Sequence, residues 1–362
     1  MLKQSLADIL RDNTGEGVLY EKTPEGMVRC FACAHRCLIP EWKSGVCRVR
    51  YNRWGKLYVP FGYVAALQDD PIEKKPFYHA LPGSRAMSFG MLGCDYHCSF
   101  CQNWITSQVL QDPEASGALV RLDPREIVRV ALQRHCQVIT STYNEPLITT
   151  EWAVEIFREA KKAGLVTSYV SNGNATLEVL DYLQPWMDLF KVDLKGFSDQ
   201  RYRELGGTLQ AVCQTIQELY KRGIWIEVVT LLVPGFNNSH DEIKRLTEFL
   251  VSVSPDIPWH VTAFHPDYKM LDLRSTTATE LVRAARIAKR AGIRYVYAGN
   301  LPGMAGSLEN TYCHGCRELL VKRFGFQILL DKISPAGGIC PKCQTKIPGF
   351  WKKTSSGSNP KG

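Results

Sequence analysis

SFGMLGCDYHCSFCQNW, residues 88–104, reads as a strand running straight into a cysteine-bearing loop. The apolar run closes at Gly93, and Cys94, Cys98 and Cys101 follow with the spacing C-x3-C-x2-C. Three thiolates on so short a loop can each bind one iron of a [4Fe–4S] cluster and leave the fourth iron without a protein ligand. That open iron can accept an exogenous bidentate ligand, such as the amine and carboxylate of an amino acid. A closed zinc site would need a fourth ligand, and His97, wedged between Cys94 and Cys98, is badly placed to complete a tetrahedron.

Outward from this loop the chain alternates strand and helix. Strand-like stretches occur at 86–92, 137–143, 166–172, 189–195, 225–233, 259–264 and 294–299. Amphipathic helical patterns such as PREIVRVALQRH, EWAVEIFREAKKAG and ATELVRAARIAKRAG separate them, and several end in Lys or Arg followed by Gly, a helix C-terminal signal. Strands joined by helices of this length predict a parallel sheet with right-handed crossovers, and six or seven such units suit a partial (β/α) barrel. Function in such a sheet collects at the C-terminal strand ends. Glu145, Asn172, Asp193, Lys195, Thr230 and His265 fall there together with Cys94, and the turn SNGN (171–174) offers amides suited to ribose or adenine.

The whole chain has 362 residues, 45% hydrophobic and 22% charged, enough for a large folded core and against disorder over most of its length. No apolar run reaches the roughly 18 residues of a membrane span, and the N-terminal stretch is broken by Asp8, Arg11 and Asp12, unlike a secretion signal. A cytoplasmic, membrane-free protein is expected. The formal charge of +8 says little about partners, because metal-bound thiolates offset much of it.

Thirteen cysteines at this density in such a chain read as metal sites and not as disulfides. Cys136 and Cys213 stand apart and read as packing residues. Cys313, Cys316, Cys340 and Cys343 form two C-x2-C knuckles, the pattern of a zinc ribbon, with His314 inside the first knuckle and not a ligand. Cys30, Cys33, Cys37 and Cys47 form a second quartet; zinc is the leading occupant and an auxiliary iron–sulfur cluster the alternative. The organisation expected is an N-terminal four-cysteine metal-binding module (1–84), a barrel (85–305), a zinc-ribbon-like module (306–352) and a disordered tail (353–362). The charged segment DDPIEKKPFYH (69–79) reads as a solvated turn or as part of a substrate entrance.

The C-x3-C-x2-C spacing, with Phe100 before the third cysteine, resembles the signature of the radical S-adenosylmethionine (SAM) superfamily. The resemblance implies a [4Fe–4S] cluster on Cys94, Cys98 and Cys101, and SAM held near Phe100. TYNEP (142–146) stands where that superfamily often has a Gly-Gly-Glu-Pro-like stretch, which gives Glu145 the SAM amino group, although Tyr143 and Asn144 replace the glycines. Asp193 and Lys195 match the Asp-x-Lys of pyruvate formate-lyase activating enzymes, which contacts the amino-acid part of SAM. His265, in FHP (264–266), would approach the ribose hydroxyls. DPIEKKPFYHALPGS (70–84), GCDYHCSFCQNWITSQ and the cysteine sets at both ends together resemble the radical SAM member of the AmmeMemoRadiSam system, over roughly residues 20–350. Asp95 departs from the Asn expected after Gly-Cys, and little effect on ligation is anticipated.

The activity this implies is reductive cleavage of SAM and hydrogen abstraction from a protein or peptide, as in glycyl-radical activation. Abstraction from a small metabolite, or RNA modification with the ribbon as RNA-binding part, are the alternatives. The reaction calls for an external one-electron reductant of the flavodoxin or ferredoxin type. No nucleic-acid partner is expected, since basic and aromatic residues are not densely interleaved.

Overall fold

The computed structural model describes residues 5–351, so the tail expected at 353–362 lies outside the described residues. Its centre is an eight-stranded sheet whose strands lie side by side in chain order. We label them β1 (Ala66–Pro71), β2 (Arg85–Gly90), β3 (Val138–Ser141), β4 (Val166–Ser171), β5 (Leu189–Asp193), β6 (Trp225–Leu232), β7 (Trp259–Ala263) and β8 (Val296–Gly299). From β2 to β8 every pair is parallel. All seven strands expected from the βα alternation are present. The sequence reading missed β1, which pairs antiparallel with β2 across Ala66↔Gly90 to Pro71↔Arg85.

The crossovers carry helices α1 (Pro124–Gln133), α2 (Thr150–Lys162), α3 (Leu177–Leu183), α4 (Leu209–Lys221), α5 (His240–Val253) and α6 (Ala278–Ala291). Their boundaries follow local chemistry. At α6 the Thr277 hydroxyl accepts from Glu280 N–H, and the Glu280 carboxylate accepts from Thr277 N–H. The same helix stops at Gly292, whose φ of +112° suits only a residue without a side chain. The sheet is open between β1 and β8, so the barrel is partial.

One end of this barrel is closed. Ala86, Val138 and Leu189, at the N-terminal ends of three strands, pack with Ile72, Phe77, Ala80 and Leu81, and Phe350 joins them from the far end of the chain. Phe350 N–H donates to His79 O, and Leu81 N–H donates to Phe350 O. Ile72 and Phe77 are fully buried, and each such side chain contributes about 1.5–3 kcal/mol. The segment 69–79 is therefore neither a solvated turn nor an entrance. It is the barrel floor, with Lys75 reaching inward to Asp70 (2.7 Å).

Short strands form the rest. Thr14–Glu16, Lys56–Pro60 and Tyr51–Arg53 make one three-stranded sheet, and Tyr20–Lys22, Val28–Cys30 and Leu38–Ile39 make another. Near the C-terminus, Thr311–Tyr312, Leu319–Phe324 and Gln327–Asp331 support the two knuckles. There Cys313, Cys316, Cys340 and Cys343 bring their thiols within 4.8 Å of one another. Arg323 from this module is buried against the barrel and donates to Tyr78 O (2.7 Å). No helix among the described residues is long and apolar enough to cross a membrane.

Candidate active site

The loop leaving β2 carries the cysteine triad: Cys98 is buried, and Cys94 and Cys101 are partly exposed. Tyr96 N–H points to Cys94 Sγ (3.4 Å), and the Ser107 hydroxyl meets Cys101 Sγ (3.2 Å). Such contacts to sulfur are among the levers by which proteins tune iron–sulfur ligands. Among the described residues, these three thiols do not gather within 4.8 Å as the C-terminal four do. That wider spacing fits sulfurs that each serve a different iron. His97 is exposed and packs on Gly206, outside any ligand set with its neighbours.

Asp95, beside the first cysteine, is the hub that fastens this loop. It is buried, and its two oxygens accept from Asn172 Nδ2 (2.8 Å) and Asn174 Nδ2 (2.9 Å). The SNGN turn thus holds the cysteine loop through Asp95, a role larger than the sequence suggested. Glu145 fastens the next loop. One carboxylate oxygen accepts from Leu147 N–H (3.0 Å) and the Ser171 hydroxyl (2.7 Å), and the other from Asn172 N–H (2.8 Å). Burial, reinforced by the nearby Asp95 charge, raises the Glu145 pKa to about 8. A carboxylate so disfavoured as an isolated anion gains from a cationic neighbour.

At the end of β5, period-2 alternation puts Lys191, Asp193 and Lys195 on one face. Asp193 is paired with Lys191 and lies 3.4 Å from Lys195 Nζ. Lys195 is not a solvated lysine. Its burial by itself would lower its pKa, but Asp193, with the Cys98 and Cys101 sulfurs nearby, outweighs this and raises it above the ordinary lysine value. The lysine therefore stays charged beside the triad.

Other expected residues fall out differently. His265 is exposed at the mouth, where Gln102, next to Cys101, donates to its Nε2 (2.9 Å). Phe100 is buried edge-on against Phe236 of the VPGFNN loop, with ring centroids 5.3 Å apart. Thr230 does not belong to the mouth. Its hydroxyl donates to Leu194 O (2.9 Å) and accepts from Trp259 Nε1 (3.0 Å), which consumes it between strands.

Sequence reasoning treated Tyr143 only as a missing glycine. Its φ is +73°, in the left-handed region that costs a non-glycine residue about 1–2 kcal/mol. The phenol compensates, donating to Asp70 (2.9 Å) and accepting from Lys75 Nζ (3.0 Å). Tyr143 thereby ties the mouth loop to the charged interior above the floor. The signal available was the substitution itself: a bulky residue where glycine geometry is required needs an anchor.

Residues 90–250, from the end of β2 into α5 and so including the loops that carry Cys94, Glu145, Asn172 and Asp193 but not His265, match the Radical SAM superfamily. The chain carries a radical SAM domain. An uncharacterized protein of Methanocaldococcus jannaschii is 36% identical over 334 residues, covering 92% of this chain and 98% of the relative. The pyruvate formate-lyase 1-activating enzyme of Escherichia coli is 24% identical over 232 residues, covering 60% of this chain and 93% of the enzyme. Among solved structures, Streptococcus suis SuiB bound to S-adenosylmethionine aligns at 12% identity and a TM-score of 0.48, covering 67% of this chain and 56% of that one. A domain of this family implies an iron–sulfur cluster and SAM. The triad and its sulfur contacts form a donor set that fits the cluster.

Proposed function

We propose that this chain cleaves SAM reductively and abstracts hydrogen from a protein or peptide backbone, as a glycyl-radical activase does. The observation that carries the reading is the separated triad Cys94, Cys98 and Cys101 with the charged Lys195 beside it. A [4Fe–4S] cluster held by Cys94, Cys98 and Cys101 would supply the one-electron chemistry that opens the SAM sulfonium and leads to hydrogen abstraction, its electron coming from an external flavodoxin- or ferredoxin-type reductant. The chain's own residues bind and orient. Lys195, held by Asp193, presents an ammonium to the SAM carboxylate. Glu145 keeps a lone pair beyond its three hydrogen bonds for the SAM amino group, whose charge favours its ionised form. His265 and Gln102 stand at the mouth for the ribose hydroxyls, Asn172 and its turn flank the nucleoside, and Phe100 walls the pocket. The floor of Ile72, Phe77 and Leu81 keeps water from entering the barrel from below.

Kinship with the activating enzymes supports a protein or peptide substrate, in keeping with the resemblance to the AmmeMemoRadiSam system. The C-terminal quartet suits one structural zinc. Its cross-knuckle sulfur pairs lie 3.6 and 3.7 Å apart, close to the spacing that four bonds of about 2.3 Å to one tetrahedral ion require. Anaerobic incubation with SAM, dithionite and backbone-deuterated candidate peptides tests the function. Deuterium should appear in 5′-deoxyadenosine. A chain with its cluster intact that forms no 5′-deoxyadenosine would sink the reading.

Lys195→Ala gives a second check. The lost charge-assisted contact is worth about 1.5–3 kcal/mol, so SAM should bind about tenfold or more weakly. Asp193 keeps Lys191 as partner, so cluster content should hold. An unchanged SAM affinity by calorimetry would show that Lys195 does not hold the cofactor.

A further inference from the structure

Two cysteine quartets occur in this chain, and they are built differently. The C-terminal one converges on a point. Among the described residues, no three thiols of Cys30, Cys33, Cys37 and Cys47 gather within 4.8 Å, although three of the four are buried and all belong to one small fold. Cys30 N–H donates to Cys37 O (3.0 Å), so these two face each other across a hairpin. The turn bearing Cys47 folds back on Cys37, with Val46 N–H 3.5 Å from its sulfur. The quartet is gathered yet spread, as the Cys94 triad is. One tetrahedral ion needs four sulfurs in mutual contact, whereas a cubane offers each thiolate its own iron.

A second observation points the same way. Arg50 is 1% exposed, and its two terminal nitrogens are spent on Glu151 (2.7 Å each). Its Nε is buried and has no hydrogen-bond partner. The guanidinium's strongest charge partners are Cys30, Glu151 and Cys47. A buried N–H donor left over beside two thiols is costly unless something accepts from it. A cluster's sulfurs and thiolates are acceptors, and the arginine charge offsets part of the net negative charge of a four-thiolate cubane.

We propose that Cys30, Cys33, Cys37 and Cys47 hold a second [4Fe–4S] cluster, with all four irons bound by protein, beside the radical site. Its position is fixed by short links to that site. His35 Nε2 lies 3.2 Å from Asp95 O, and Ala34 N–H donates to Asn174 O (2.8 Å), whose side chain donates to Asp95. The residues just after Cys33 are thus tied to Asp95, the neighbour of Cys94, directly through His35 and through Ala34 and Asn174. The spacing comparison rests on reading the Cys94 triad as a cubane site, and the test keeps the two apart.

Full-length protein reconstituted anaerobically with iron and sulfide should hold about eight irons and eight sulfides per chain, with about one zinc. The triple variant C94A/C98A/C101A should retain about four irons, and SAM should leave the electron paramagnetic resonance of its reduced cluster unmoved, because no iron is open. The double variant C33S/C37S should also retain about four irons, but SAM should shift its signal. Wild-type protein with about four irons and about two zincs, and a triple variant with zinc and no iron, would overturn the second cluster while leaving the radical site standing. A double variant without iron would instead overturn the reading of the triad. Wild-type metal content decides the proposal even where a variant fails to fold.

Discussion

Cys98→Ala should abolish 5′-deoxyadenosine formation. Cys98 is the middle and most buried thiol of the triad, and Lys195 is set against it. Its loss leaves two thiolates on a loop that must supply three, so the radical-site cluster either fails to assemble or is lost on handling. Activity should fall to the background of free iron and dithionite, a loss of several orders of magnitude judged against the catalytic effects of such cofactors. Zinc content and the midpoint of thermal unfolding should barely change, because the loop hangs from the sheet through Asp95 and the SNGN turn and not through Cys98. The measurement is 5′-deoxyadenosine per hour alongside metal analysis. Product formation at the parental rate would show that these cysteines do not carry the chemistry.

Glu151→Ala should be the most destabilising single change outside the cysteines. Glu151 opens α2 and forms a two-point ion pair with Arg50 of the N-terminal region, both buried; Arg50 donates as well to Ile148 O (3.0 Å). Removing the acid strands a buried guanidinium, which costs about 3–5 kcal/mol, against a total stability of about 5–15 kcal/mol for a typical domain. The same pair sets a pH dependence. Burial tends to raise the Glu151 pKa, but Arg50 overrides this and holds it below the ordinary 4.5. The carboxylate's contribution is thus complete above the unfolded-state pKa and disappears as pH falls through the lower folded value. Urea unfolding of parent and variant at neutral pH and in acid checks both points. A difference below about 1 kcal/mol at neutral pH, or one that does not shrink in acid, would refute the account.

The legible part of this protein was whatever repeats or clusters along the chain. Seven strands announced themselves by apolar runs between amphipathic helices, and the Cys94 triad and the ribbon knuckles by their spacing. Lys191, Asp193 and Lys195 share a face because alternation in LFKVDLK says so. What escaped was long-range. β1 is a short, acid-bearing strand whose place depends on pairing with β2, and nothing local in ALQDDP marks it. The floor needed contacts between residues near 80 and residue 350, a separation no pattern encodes. Asp95 looked like a neighbour of a ligand, and only the folded turn brings two asparagine amides to it. Tyr143 looked like a defect until its phenol found Asp70 and Lys75.

The seam between Ala80 and Phe350 has a consequence for how the enzyme is made and kept alive. The barrel's lower end is sealed by a stretch that is itself latched by the chain just beyond the last knuckle cysteine. During synthesis the seal is not latched until residue 350 has emerged, so until then the floor rests on the packing of Ile72, Phe77 and Leu81 alone. If the four knuckle cysteines hold the proposed zinc, stripping it would loosen the latch and weaken that floor, admitting dioxygen to the cluster from a side the mouth does not guard. A metal far from the chemistry would in this way govern how long the chemistry survives in air.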